Sequence, residues 1–213
     1  MKKAIVSALL VCMVLSLLCV PAGAAQQKSG FAGVGSNVDG VSLIPLKADG
    51  TAAELVNGLY VDAAKMSVTY SGAVSGSFYL VLALSSEGVP TESNIQYIDQ
   101  NTAAVGGVSF VIYPKDLESG MTYYVYLSSN ADADISALTP VASFTYVSYR
   151  PGDVDGNGSI SSNDAVMVMN YLAENIDLSA EQLLAADVDN TVGVSVTDAL
   201  YILQAIAHLK TLG

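Results

Sequence analysis

The stretch Asp153-Val-Asp-Gly-Asn-Gly-Ser-Ile-Ser-Ser-Asn-Asp164 sets Asp, Asp and Asn at positions one, three and five of a twelve-residue loop, with Gly at six and Asp at twelve. A hard divalent cation such as calcium takes roughly six to eight oxygen ligands from a short, flexible loop, and this spacing supplies them. Asp153, Asp155 and Asn157 offer side-chain oxygens. The backbone carbonyl of Ser159 takes position seven, and Ser161 acts directly or through a water. Asp164 closes the ring with one or both carboxylate oxygens. Gly158 stands where the chain must turn sharply. An acidic surface turn that binds nothing would need only Asp-Gly-Asn-Gly; the full set of spaced ligands argues for a cation.

A second copy runs Asp187-Val-Asp-Asn-Thr-Val-Gly-Val-Ser-Val-Thr-Asp198. Asp187, Asp189 and Asp198 are in place and Ser195 holds position nine. Position five is Thr191, a neutral and poorer ligand. Position six is Val192, a β-branched residue that resists positive φ, and Gly193 comes one residue late. Three outcomes are open for this loop: it rearranges by one residue, binds weakly, or stays empty. The expectation is two Ca2+ sites, the second degenerate.

These loops need elements to hold them. Ala165, Val166, Val168, Met169, Tyr171 and Leu172 recur at helical spacing after the first loop, and Ala199, Leu200, Ile202, Leu203, Ile206 and Leu209 do so after the second. That spacing predicts core packing for Met167, Met169 and Leu203. Ser179-Ala-Glu-Gln182 has the form of a capping box opening a short helix through Ala186. The unit reads loop–helix, connecting helix, loop–helix. The general EF-hand pattern carries Glu at position twelve; both copies here carry the shorter Asp.

On these residues the segment from about Pro151 to Gly213 resembles a type I dockerin. The matching stretches are Gly152-Asp-Val-Asp-Gly-Asn-Gly158 with Asp164-Ala-Val, and Ala186-Asp-Val-Asp189 with Thr197-Asp-Ala-Leu200. The resemblance implies an all-α, calcium-folded module that binds a cohesin module on a scaffoldin and so docks its cargo into a cellulosome-like complex. It also implies partner contacts at loop positions ten and eleven and on the following helices. Here those are Ser162 and Asn163 in the first copy and Val196 and Thr197 in the second, with Asn170 and Gln204 one helix face further on. Family members often carry near-identical pairs, which permits two binding orientations; the pairs here differ, which favours one. Ser162 and Asn163 also suit helix capping.

The chain opens Met1-Lys-Lys3, runs apolar from Ala4 to Val20 and continues Pro21-Ala-Gly-Ala24-Ala25. This is the form of a secretory signal peptide cleaved after Ala24, so the protein is expected to be extracellular, with no membrane insertion after cleavage. Leu17 and Leu18 precede Cys19 where a lipoprotein signal has small residues. Cys12 and Cys19 both lie in the signal, leaving the mature chain without disulfides and dependent on its core and on metal. Without Lys2 and Lys3, six basic residues face 20 acidic ones, a net charge of −14. Such a balance excludes nucleic acid as a partner.

About 190 mature residues allow two small domains. The expected division is signal peptide 1–24, flexible leader 25–36, β-sandwich domain 37–149 and calcium-binding module 150–213. Strands are expected near Ser42–Leu46, Lys65–Tyr70, Ser77–Leu84, Ile95–Gln100, Val108–Tyr113, Thr122–Ser128 and Val141–Tyr146, a count and spacing that suggest an antiparallel β-sandwich. Leu117-Glu-Ser-Gly-Met-Thr-Tyr123 resembles the turn entering strand F of an immunoglobulin or fibronectin III-like domain, with Tyr123 as corner tyrosine. The fold class is therefore multidomain β + α. Tyr149-Arg150-Pro151-Gly152 joins the two parts with no Pro/Ser/Thr-rich linker, so a fixed interface is expected.

No catalytic constellation stands out. The mature chain has no Cys, and its one histidine, His208, falls at the end of the last helix. Asp62, Glu87, Glu92, Asp99, Asp116 and Glu118 are carboxylates of the right type for glycoside hydrolysis, but nothing in the sequence pairs them. A non-catalytic protein is expected. A glycan-binding module for polysaccharide is the alternative reading, drawn from the many tyrosines and weakened by the absence of Trp; a small glycoside hydrolase is the other.

Overall fold

Alternating apolar residues put Met66 and Val68 on one face of a strand and Val108, Phe110 and Ile112 on one face of another, and all five are buried. In the computed structural model, which describes residues 25–72, 75–84, 94–130, 133–189 and 191–212, these strands are neighbours in a small antiparallel sheet. Its order is β2 (Val41–Leu46), β5 (Lys65–Ser71), β8 (Gly107–Ile112). The signal-peptide segment, 1–24, lies outside the described residues, as do Glu87 and Glu92.

A larger sheet faces it, ordered β3 (Glu54–Val56), β4 (Leu59–Val61), β1 (Lys28–Ser36), β10 (Ala142–Tyr149), β9 (Thr122–Ser128), β6 (Ser77–Leu84), β7 (Ile95–Thr102), antiparallel throughout. One core fills the gap: Phe31, Tyr123, Val125 and Phe144 from the large sheet meet Met66, Val68, Phe110 and Ile112 from the small one. Phe31 stands edge-on to Phe144 at 5.4 Å, and Tyr123 stacks on Phe144 at 5.7 Å, geometries that aromatic quadrupoles favour. The expected tyrosine corner is present: the Glu118 N–H donates to the Tyr123 hydroxyl at 2.6 Å.

The seven expected strands all form, and three more appear among the described residues. The stretch read as a flexible leader is corrected: Lys28–Ser36 is a strand paired on both sides, with β10 and β4. Its glycines look like linker composition but serve packing. A Cβ at Gly30 would lie 2.5 Å from Leu59 Cδ2 and 2.7 Å from the Tyr60 carbonyl oxygen, so only glycine permits this approach of β1 to β4. The register then slips between Ala32 and Gly35, at a bulge. Strands β3 and β4 form a hairpin whose turn residues Asn57 and Gly58 both have positive φ, the Asn-Gly signal for a tight hairpin turn.

Strand β10 is apolar on both faces at its end. Phe144 and Tyr146 point into the sandwich, whereas Val147 and Tyr149 cluster on the outer face with Leu59, Leu184 and Ala185. The last two come from the helical part, whose described residues form α1 (Ser162–Leu172), α2 (Ala180–Ala186) and α3 (Val196–Ile206). Helices α1 and α3 pack through Ala165, Val168, Ala199 and Ile202. No helix among the described residues is long and apolar enough to cross a membrane.

Candidate metal centre

Each loop feeds straight into a helix, and the junction is the same in both. Ser161 caps α1 and Ser195 caps α3, each in a capping box whose acidic partner is the loop's twelfth residue, Asp164 or Asp198. That carboxylate also reaches back across the loop. Oδ1 of Asp164 accepts from the N–H groups of Val154 (2.7 Å) and Asp155 (3.0 Å), and Oδ2 accepts from the Ser161 N–H (2.8 Å) and hydroxyl (3.1 Å). Asp198 repeats this with Val188, Asp189 and Ser195 at 2.8 to 3.0 Å. Both carboxylates are fully buried. Four accepted hydrogen bonds satisfy the carboxylate's lone pairs, so each aspartate latches the two ends of its loop together.

In the first loop Asp153, Asp155 and Asp164 bring carboxylate oxygens within 4.8 Å of one another, close enough to share one cation. Asp153 is 7% exposed, and its Oδ1 is buried with no hydrogen-bond partner. Its other oxygen accepts from the Gly158 N–H at 2.9 Å. Burial pushes the Asp153 carboxyl above its usual range; the Gly158 N–H opposes this, and Asp164 and Asp155 add to it. A buried, unpartnered oxygen among three carboxylates is costly alone and is the arrangement a calcium ion satisfies. The residues of the first loop therefore fit the ion. Asn157 Oδ1 accepts from the Ser159 N–H, and Asp155 Oδ1 from the Asn157 N–H, which fold the loop around the same centre.

The second loop gathers Asp187, Asp189 and Asp198 within the same limit. Its turn, however, has moved. In the first loop Gly158, at position six, has φ +88° and donates to Asp153; in the second Gly193, at position seven, has φ +96° and donates to Asp187 at 3.1 Å. The turn is displaced by one residue, which leaves Val192 exposed rather than forced to positive φ. The Thr191 hydroxyl donates to Asp189 Oδ1 at 2.5 Å, and that bond holds the Asp189 carboxyl below its usual range. Burial raises Asp187, opposed by the Gly193 N–H and reinforced by Asp198 and Asp189.

Ser162, Asn163, Val196 and Thr197 all lie exposed at the starts of α1 and α3, and Asn170 and Gln204 are half-buried further along. The Asn163 amide donates to Asp155 Oδ2 at 2.8 Å, tying this residue to the metal loop as well as to the surface. The core-packing expectation holds for Met167, half-buried against the helical core, and is corrected for Met169 and Leu203, which are exposed. With Val166 and Leu200 they form equivalent stripes: Ser162, Val166 and Met169 on α1; Val196, Leu200 and Leu203 on α3. Helical spacing reveals an apolar face but not what covers it; comparing equivalent positions of the two copies would have marked these pairs. The repeat extends to the helix ends. Glu174 and His208 both sit at positive φ after their helices, and Asn175 and Leu209 donate back to the carbonyls of Asn170 and Gln204, the Schellman arrangement.

Of the other carboxylates, Asp62 lies 3.9 Å from Lys28, and Asp99 accepts from the neighbouring Gln100 N–H.

Two loop–helix units bridged by a short helix define a tandem calcium-loop module. Residues 151–207 match the family model described as dockerin type I domain, and the C-terminal part of the chain is consistent with a type I dockerin module. Dockerin modules in general bind calcium and a cohesin module, which supports a docking role in a cellulosome-like complex. Neither the curated proteins nor the solved structures contain a match to the chain.

Proposed function

We propose that this is a secreted, non-catalytic component of a cellulosome-like complex that docks onto a scaffoldin cohesin in a calcium-dependent way. The observation that carries the reading is the pairing of a buried, unpartnered Asp153 oxygen in the first loop with exposed apolar stripes on the helices that the loops launch. Calcium would be held by Asp153, Asp155, Asn157, Asp164 and the Ser159 carbonyl, with Ser161 direct or through water, and in the second loop by Asp187, Asp189, Thr191, Gly193, Ser195 and Asp198. The ion would neutralise carboxylates that otherwise repel one another and are penalised by burial, and so would stabilise both helices. Because Asp164 already accepts four hydrogen bonds, one must yield to the ion; the Ser161 hydroxyl, which rotates freely, is the one able to leave.

The partner surface comprises Ser162, Asn163, Val166, Met169 and Asn170 on α1 and Val196, Thr197, Leu200, Leu203 and Gln204 on α3. The α3 stripe is apolar at all three exposed positions, whereas α1 begins with a serine. This asymmetry supports a single preferred orientation. The β-sandwich serves as a protein-interaction or structural module. Calorimetry of the mature chain against a panel of cohesins, in calcium and then in chelator, tests the reading. Tight binding that is lost in chelator, and weakened in Asp153→Ala, is expected. Binding that persists in excess chelator would overturn it.

A further inference from the structure

Helix α2 is only seven residues long, too short to be stable alone. It stands between the two metal loops, and the second loop begins on it: Asp187 is its C-cap, with the N–H of that residue bonded to the Leu183 carbonyl at 3.0 Å. The β-sheet holds α2 in place. Leu184 and Ala185 are buried against Leu59, Val147 and Tyr149 on the outer face of the large sheet, and the Gly152 N–H donates to the Ala185 carbonyl at 2.7 Å. The first loop is tethered too. Arg150, directly after β10, donates from Nη1 to the carbonyl of Gly158 at 2.8 Å, and Gly158 is the residue whose N–H orients Asp153. Each metal loop is thus anchored at one point by the sandwich, the first through Arg150 and the second through α2.

From this geometry we infer that the β-sandwich and the dockerin module form one cooperative unit, in which cation binding in the loops stabilises the large sheet through α2 and Arg150. The inference rests on calcium binding by the loops. A ligand that binds only the folded loops stabilises whatever must unfold with them, and a contact buried on both sides makes β10 and β4 part of that set, with β1 hydrogen-bonded between them. The coupling is reciprocal: loss of the sheet contact weakens the loops. The sandwich then acts as a rigid mount that leaves the α1 and α3 stripes facing outward, in place of a domain swinging on a tether.

The test uses the full mature chain. Calorimetry first establishes calcium uptake; hydrogen exchange of segments 28–36, 59–61 and 142–149 is then compared in calcium and in chelator. Exchange at least about tenfold slower with calcium is expected in all three segments. In Leu184→Asp, calcium is still bound by the first loop, but its slowing of sheet exchange is reduced, because only the Arg150 tether remains. Sheet exchange indifferent to calcium in the unsubstituted chain, with calcium bound, would overturn the coupling and leave the calcium reading standing. No calcium uptake would sink both. Should Leu184→Asp not fold, scanning calorimetry of the unsubstituted chain decides: one transition moving with calcium supports the coupling, and two transitions of which only one moves refute it.

Discussion

Replacing Asp164 with alanine removes the latch of the first loop, and its cost can be worked from the contacts. The buried Val154 N–H loses its acceptor, at about 1–3 kcal/mol for an unsatisfied buried donor. The Asp155 and Ser161 N–H groups are partly reached by water and lose about 1 kcal/mol each. The capping box contributes about another 1 kcal/mol. Against these stands relief from burying a carboxylate beside Asp153 and Asp155. Because one acceptor serves all four donors, the terms overlap, and a net loss of about 3 kcal/mol is expected. Asp164→Asn keeps one carbonyl oxygen for Val154 and Asp155 but turns an amide N–H towards the Ser161 N–H, so about half the loss is expected. The assay is urea unfolding in chelator, which removes any effect through the ion. With a slope of about 2 kcal/mol/M, the alanine midpoint falls by about 1.5 M. A shift under about 0.3 M in chelator, with calcium affinity still reduced, would refute the latch and leave Asp164 as a ligand only.

Gly193→Ala forces a side chain into positive φ at the displaced turn of the second loop, at about 1 kcal/mol; calorimetry is expected to show the second calcium step weakened about fivefold and the first unchanged. Leu200→Asp is expected to weaken cohesin binding at least about tenfold, and the equivalent Val166→Asp less, because the α3 stripe is the more apolar; equal losses in a cohesin titration would argue for two orientations. Burial raises the phenols of Tyr123, Tyr146 and Tyr149, the last to about 12 with smaller contributions from Asp62 and Asp187. The folded chain therefore favours the neutral phenol. That stability is fully present below the unfolded value of 10.0 and is lost as pH rises towards about 12. Urea midpoints that fall through this window, together with the rise of tyrosinate absorbance, would bear this out.

What the sequence determined by itself is the local chemistry. Aspartates two residues apart, a serine three residues before an amide partner, and a tyrosine five residues after the donor it meets are relationships spanned by a few bonds, so spacing alone identifies the loops, the capping box of α2 and the tyrosine corner; at α1 the cap expected at Ser162 and Asn163 is instead Ser161, one residue earlier. The strands with clean alternation belong to the same class, since a period of two already says which residues share a face. The Asn57-Gly58 turn is equally local, but the strands it joins are only three residues each and are not among those expected. Tertiary structure decided the rest. Gly30 reads as linker until Leu59 lies against it, and Val147 and Tyr149 lie beyond the expected end of the last strand until pairing extends β10 and α2 covers them. Met169 and Leu203 carry the spacing of core residues, yet the helices pack through Ala165, Val168, Ala199 and Ile202 and leave them outside. In each case the deciding neighbour is distant in sequence or on another element. The free energy of burying an apolar face depends on the area another element removes from water, and no periodicity along one segment contains that partner.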